Sequence, residues 1–171
     1  MKIAVIGYSG SGKSTLARLL AEKYGLPVLH LDAVQFLPGW KLRDAEEKLR
    51  TVQAFMDENE GWVIDGNYTR LLHERRLEEA DQIVLMLFNR FSSLWRVTKR
   101  YLRYHGKTRP DMTAGCREKL DGEFIRWVLW KGRGKTQRRH FAGIAAHRPE
   151  KCVILRNQRE LDAYLRTIRE N

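Results

Sequence analysis

Gly7-Tyr8-Ser9-Gly10-Ser11-Gly12-Lys13-Ser14-Thr15 is an unbroken G-x-x-x-x-G-K-[ST] phosphate-binding loop. Before it, Lys2-Ile3-Ala4-Val5-Ile6 reads as a short apolar strand, and after it Leu16, Leu19, Leu20 and Tyr24 fall at helical spacing. Strand, glycine loop and helix are the three parts that phosphate binding needs. Glycines let backbone N–H groups converge on an anion with no Cβ in the way. The helix N-terminus adds partial positive charge to the same point. Lys13 is placed to reach β- and γ-phosphate oxygens, and Ser14 to ligate Mg²⁺. The whole run from Gly7 to Thr15 is therefore expected to bind a nucleoside triphosphate.

The apolar stretches after this unit alternate with amphipathic ones, as in βαβ units with a parallel sheet. Strands are expected at 2–6, 28–31, 62–65, 82–87 and 152–156. Between the second and third, Ala45, Leu49, Val52 and Met56 form a helical stripe, with Asp44 and Glu47 at capping-box spacing. Asn157 and Glu160 repeat that device before a last helix that buries Leu161, Leu165 and Ile168. With 171 residues there is room for one domain and little for a second, so 1–171 is expected to form a single unit. A hydrophobic fraction of 43% suits a globular chain, and no apolar run approaches the roughly 20 residues of a membrane span. No membrane partner is expected. Cys116 and Cys152 have no metal-type spacing, and the first strand does not read as a signal peptide. A reduced, cytoplasmic setting is the economical expectation.

Ligands of such sheets bind beyond the carboxyl ends of the strands, and two carboxylates fall there. Asp32 follows the second strand, where it could accept a proton from an acceptor hydroxyl or hold a Mg²⁺ water. Asp65 ends the third, in Val63-Ile64-Asp65-Gly66, and suits the second Mg²⁺-orienting acid. His30 reads as a packed strand histidine and the tryptophans as core.

Charge is unevenly spread. Lys plus Arg is 32 against 21 Asp plus Glu, a net +11, and residues 91–140 alone carry fourteen cations and four acids, or +10. Such a concentration attracts a polyanion. Within it a helix is expected from Ser92 to about Tyr104, with Leu94, Val97 and Tyr101 on one face and Arg96, Lys99, Arg100 and Arg103 on another. Gly106-Lys107-Thr108-Arg109-Pro110-Asp111 is turn-rich enough to hinge a flap. A second apolar helix follows (Phe124, Ile125, Val128, Leu129), then a basic cluster ending at Arg138-Arg139. Because positioned positive charge is the main accelerator of phosphoryl transfer, an arginine-rich lid at roughly 91–140 makes physical sense.

With these features the chain resembles the adenylate kinase-like group of small P-loop kinases. The loop at 7–15, Asp65-Gly66, and the four-apart pair Arg96 and Arg100 carry that likeness. More narrowly, Leu31-Asp32-Ala33-Val34-Gln35-Phe36-Leu37-Pro38-Gly39-Trp40, Ile64-Asp65-Gly66-Asn67-Tyr68 and Thr108-Arg109-Pro110-Asp111-Met112 resemble the bacterial DNA topology-modulation proteins. The resemblance implies the P-loop NTPase fold, an α/β five-stranded parallel sheet flanked by helices with a helical lid, and ATP with Mg²⁺. It further implies that Arg96 and Arg100 approach the nucleotide, that Arg133 and Arg138 swing in from beyond the lid, and that Arg156-Asn157-Gln158 lines the adenine. The Asp-Gly-Phe-Pro-Arg segment of adenylate kinases is not intact. Phe-Pro is absent and the nearest arginine, Arg70, is displaced by one position, which puts a nucleoside monophosphate acceptor in question.

Two functions compete, ahead of a third in which a plain nucleotide-binding protein hydrolyses ATP slowly with no acceptor. The first is a Mg²⁺-dependent phosphotransferase acting on a small-molecule acceptor, with Lys13, Asp32, Asp65 and the lid arginines Arg96, Arg100, Arg133 and Arg138 in catalysis, and Ser14 and Asp65 on the metal. The second is a nucleotide-regulated DNA-binding protein that grips nucleic acid through 91–140. No zinc finger, recognition helix or RNA-binding signature accompanies the basic segment.

Overall fold

The computed structural model describes residues 1–170. Five parallel strands form its sheet: β1 (Lys2–Gly7), β2 (Val28–His30), β5 (Trp62–Asp65), β6 (Gln82–Met86) and β7 (Cys152–Leu155). They lie in the order β2-β5-β1-β6-β7, which puts β1 and its loop at the centre. A two-stranded antiparallel hairpin, β3 (Phe36–Leu37) and β4 (Lys41–Leu42), stands apart. The helices are α1 (Lys13–Tyr24), α2 (Leu31–Gln35), α3 (Ala45–Glu58), α4 (His73–Glu79), α5 (Arg90–Tyr104), α6 (Gly122–Leu129), α7 (Lys135–His147) and α8 (Gln158–Glu170).

The central strands read as continuous apolar runs because both faces are covered. In β1, Ala4 and Ile6 enter one core with Val34 of α2, Val52 and Met56 of α3, Leu77 of α4, and Phe141 and Ile144 of α7. Ile3 and Val5 enter the other, with Leu16, Ala17, Leu20 and Ala21 of α1 and Leu161 and Ile168 of α8. Period-two alternation thus divides a single run between two hydrophobic layers. This is the P-loop NTPase architecture expected from the sequence.

Four strand boundaries differ from expectation, the first strand running one residue further, to Gly7. The second strand ends at His30 because its only partner, β5, ends opposite it at Asp65. Leu31 and Asp32 therefore open α2 instead of extending the strand, and Leu31 is fully buried there. The last strand stops at Leu155 and the fourth at Met86. At α3, Asp44 caps as expected, its Oδ1 accepting from the Glu46 and Glu47 amides at 2.9 and 3.1 Å. The Glu47 carboxylate, however, takes the Arg43 guanidinium in place of the reciprocal cap. At α8 the box closes one residue early, with Glu160 accepting from the Arg156 amide at 2.6 Å.

Residues 105–120 are irregular and lie against the β3–β4 hairpin. Thr113 Oγ1 stands 2.8 and 2.7 Å from the Ala33 and Phe36 carbonyl oxygens. The Trp40 indole donates to Arg117 O at 3.0 Å, and the Cys116 thiol to Leu37 O at 3.3 Å. The hairpin and the 105–120 segment are thus tied together.

One buried titratable group sets a pH limit on the fold. His73 at the start of α4 is 4% exposed. Burial, then the Arg76 and His140 charges, pull its pKa from 6.5 to about 4. The unfolded chain therefore binds this proton more readily, so stability is complete above pH 6.5 and falls as pH drops toward 4. The loss from pH 7 to pH 4 is expected to be roughly 3 kcal/mol. Denaturant titrations at both pH values should show that loss in the native protein and a much flatter profile in His73→Gln.

Candidate active site

The loop after β1 closes on the carbonyl of Tyr8, which accepts from the Ser11 amide at 3.3 Å, Ser11 Oγ at 2.8 Å and Lys13 Nζ at 3.0 Å. The Tyr8 amide in turn donates to Met86 O at 3.0 Å, fixing the loop to β6. Gly10 has φ 77°, and a Cβ there would stand 2.6 Å from Val97 Cγ2 and 2.8 Å from the Ser93 carbonyl oxygen. Only glycine lets α5 pack this closely on the loop. Gly12 caps α1 in the left-handed region, so the loop delivers its amides to the helix N-terminus.

Asn67 supplies a clip that sequence reading missed. Its Oδ1 accepts from the Gly7 amide at 2.9 Å while its Nδ2 donates to Gly7 O at 2.5 Å. The side-chain amide thus pairs with the loop's first peptide as a neighbouring strand would. The segment carrying it is held from below by Arg76, which is fully buried. Arg76 donates to the carbonyls of Leu71 (2.8 Å), Gly66 (3.2 Å) and Tyr68 (2.8 Å). Burial lowers its pKa to about 10, leaving it charged at neutral pH.

At the start of α1, Ser14 Oγ donates to Asp65 Oδ2 at 2.9 Å. Asp65 is 4% exposed, and its other oxygen meets His30 Nδ1. Burial draws the His30 pKa down, but the Asp65 hydrogen bond and charge, with a contribution from Asp111, outweigh it and the net shift is upward. His30 is therefore the donor that orients Asp65, not merely a packed strand residue. The signal was register: in the parallel β2–β5 pair, His30 stands opposite Asp65. Two hard oxygens, one hydroxyl and one carboxylate, converge beside the phosphate loop. That donor set fits Mg²⁺.

Asp32 is the second carboxylate whose charge reaches Lys13. Its Oδ1 accepts from the Tyr68 hydroxyl at 2.7 Å. Lys13 is desolvated, which lowers its pKa, while Asp32 and Asp65 both pull it back up. The two carboxylates and the ammonium therefore act on one another electrostatically.

The arginines are placed unequally. Arg96 lies at the loop: a Cβ on Gly12 would be 3.1 Å from its Nη1. Its guanidinium covers the Phe88 ring at 4.5 Å and hydrogen-bonds Gln158. A cavity of about 70 Å³ beside it is lined by Gly12, Thr15, Leu16, Leu19, Leu161 and Leu165. Arg100 pairs with Glu118 at 2.8 Å, and Glu118 also holds Arg109 at 2.7 Å, which in turn pairs with Asp111 at 2.8 Å. Arg109, Asp111 and Glu118 are all under 9% exposed, and both Arg100 and Arg109 act electrostatically on Lys13. The turn-rich stretch thus carries a buried charge cluster to the site, which its composition did not reveal.

Arg133 directs Nε to Val128 O, Nη1 to Phe88 O and Nη2 to Ser93 Oγ, each at 2.7 Å, and covers the Tyr8 ring at 4.1 Å. Arg138 and Arg156 are exposed and rim a groove of about 570 Å³ over Tyr8, Leu87, Phe141 and Ile154. Asn157 is exposed and bonds Glu160. The lid helix α6 touches the loop through the Trp127 indole, which donates to Ser9 Oγ at 3.1 Å.

No family model matches the chain. Among curated proteins, an adenylate kinase of Mycobacteroides abscessus is 29% identical over 105 residues, covering 50% of this chain and 55% of that protein. A cytidylate kinase of Methylobacterium is 37% identical over 87 residues, covering 51% of this chain and 41% of that protein. The chain thus spans about half the length of the curated relatives it matches. Among solved structures, the protein TT1252 of Thermus thermophilus aligns with TM-score 0.52 and 19% identity over 98% of this chain and 97% of its own. A protein of Chloroflexus aurantiacus described as a candidate kinase aligns with TM-score 0.53 and 12% identity over 99% of this chain and 96% of its own. At those identities the structural likeness establishes the fold, and the weak homology to adenylate and cytidylate kinases supports a small P-loop kinase-like protein.

Proposed function

We propose that this protein is a Mg²⁺-dependent phosphotransferase that moves the γ-phosphoryl group of ATP to a small-molecule acceptor. The observation that carries the reading is the meeting of Ser14 and Asp65 at 2.9 Å at the N-terminus of α1, with Lys13 between Asp65 and Asp32 in charge. Held by Ser14 and Asp65, Mg²⁺ would supply positive charge against the negative charge that builds up in transfer. The loop amides of residues 7–15 hold the phosphates, Lys13 meets the transferring group, and His30 fixes the rotamer of Asp65. Arg96, which hydrogen-bonds Gln158, is the cation that would receive the base in this reading, with Asn157 and Arg156 on the loop that precedes Gln158. Arg138, exposed on the groove rim, is the lid cation of this reading, while Arg100 is held by Glu118 and Arg133 by Val128 O, Phe88 O and Ser93 Oγ. Kinase relatives support nucleotide use.

Asp65→Asn tests it. The substitution keeps shape and the Ser14 contact but removes the charge that faces the metal. The Mg²⁺ concentration for half-maximal turnover should rise by roughly 10–100-fold, the usual effect of disturbing a metal's supporting groups. Mg²⁺-free nucleotide affinity should change little. An unaltered Mg²⁺ titration would reduce Asp65 to a turn-forming residue.

The +10 segment supports a second reading, a nucleic-acid-binding protein akin to the DNA topology-modulation proteins with ATP as a switch. It ranks below the first because Arg100, Arg109 and Arg133 are engaged inside the protein and are not presented to a backbone. ATP turnover stimulated by duplex DNA would favour it.

A further inference from the structure

An acceptor that already carries a phosphate needs cations of its own, beyond those that hold the triphosphate. Three arginines of this side are already engaged, while Arg18, whose charge reaches His30, has a buried Nε with no hydrogen bond to a described residue. Arg76 is spent on three backbone carbonyls beneath the 66–71 loop. Arg100 and Arg109 are neutralised by Glu118 and Asp111 in a cluster of two cations and two anions. Arg70, nearest to the position where adenylate kinases grip the acceptor phosphate, is exposed. Against these stands Asp32, which forms no ion pair with any described residue. Its Oδ1 is held by the Tyr68 hydroxyl, and Oδ2 makes no hydrogen bond to a described residue. Burial and the Asp32 charge raise the Tyr68 pKa, so the phenol remains a donor at every working pH.

We propose that the acceptor is an alcohol without a phosphate at its reacting end, and that Asp32 receives the proton of that hydroxyl. The inference rests on the phosphotransferase reading and narrows it. The acceptor O–H donates to the open oxygen of Asp32, which a phosphate dianion cannot do. In the transfer the acceptor oxygen forms a bond to the γ-phosphorus. The bond from that phosphorus to the β–γ bridging oxygen breaks, and its electron pair leaves on the nucleoside diphosphate. The hydroxyl proton passes to Asp32 and then to water. Tyr68 keeps Asp32 in place, and Asn67, on the same loop, ties that placement to the phosphate cradle through Gly7.

The test uses the protein saturated with Mg²⁺ and the non-hydrolysable analogue AMPPNP, so that the triphosphate site is filled. Failure to bind Mg²⁺–AMPPNP would sink the phosphotransferase reading itself and is read separately. CMP and AMP, the phosphate-bearing probes, are then titrated calorimetrically into the loaded protein. The native protein should bind both with Kd in the millimolar range or weaker. Asp32→Asn, which removes the negative charge at constant shape, should tighten that binding by about tenfold or more, the weight of one near charge–charge contact. With radiolabelled ATP, the native protein should form no CDP from CMP and no labelled ADP from AMP. Micromolar binding of either monophosphate to the native protein, or phosphoryl transfer to it, would overturn the inference. So would an Asp32→Asn protein that binds them no better.

Discussion

Lys13→Ala should lower ATP turnover on the order of 10²–10³-fold while leaving the fold intact, the scale of losing one preorganised charge donor in a dry site. Lys13 is the only side-chain cation of the phosphate loop, and its one hydrogen bond is to Tyr8 O. That carbonyl keeps two other donors, from the Ser11 amide and hydroxyl, so the cradle does not collapse when the ammonium goes. Burial also works against the charged form of Lys13 in the absence of nucleotide. Removing a desolvated ammonium relieves that cost and should hold Tm within about 2 °C of the native value, as for substitutions without a packing defect. Turnover and thermal melts measured together check both halves. Native turnover in a folded Lys13→Ala protein would exclude phosphate-loop chemistry, since no other side chain of the loop carries positive charge.

The sheet and the strand-end position of Asp65 were legible because each rests on local rules. A run such as Ile3-Ala4-Val5-Ile6 is apolar at every position only when both faces are covered, and that requirement gave the parallel sheet. The glycine loop states its own geometry, and Asp65 was marked by ending a strand. What escaped depends on register or on distant segments. His30 meets Asp65 only because β2 and β5 align them, and Asn67 reaches Gly7 across sixty residues. Arg109, Asp111 and Glu118 form their cluster because 105–120 turns back on α5, which no periodicity signals. Charge counting saw the same arginines but could not tell a solvated cation from one enclosed by carboxylates. The sum over 91–140 was right, and its partition was invisible.

Arg133 is where that partition has its largest consequence, because all three of its nitrogen positions are taken. Val128 O lies in α6, Phe88 O just beyond β6 and Ser93 Oγ in α5, so one guanidinium joins α6 to α5 and to the segment that leaves β6. Its plane also covers Tyr8 of the phosphate loop at 4.1 Å. Arg133→Ala deletes three hydrogen bonds from a charged donor and leaves the fully buried Ser93 and Phe88 with acceptors to satisfy. With part of that made good by water at a half-buried position, the expected loss is about 3 kcal/mol. For a chain of this size that corresponds to a fall in Tm of roughly 6–12 °C. Arg133→Lys should recover little, since an ammonium cannot span three acceptors in one plane. Arg138→Ala, on the exposed rim of the groove, should stay within about 0.5 kcal/mol of native stability. Any effect it has belongs to turnover. Melting curves and ATP turnover for the three variants separate a tie from a mobile lid cation. A tie lowers Tm in Arg133→Ala first, and activity only as the lid loosens on the loop. An arginine that swings onto the phosphates would instead give Arg133→Ala a native Tm and a collapsed rate, and would show that these three contacts are exchanged when nucleotide binds.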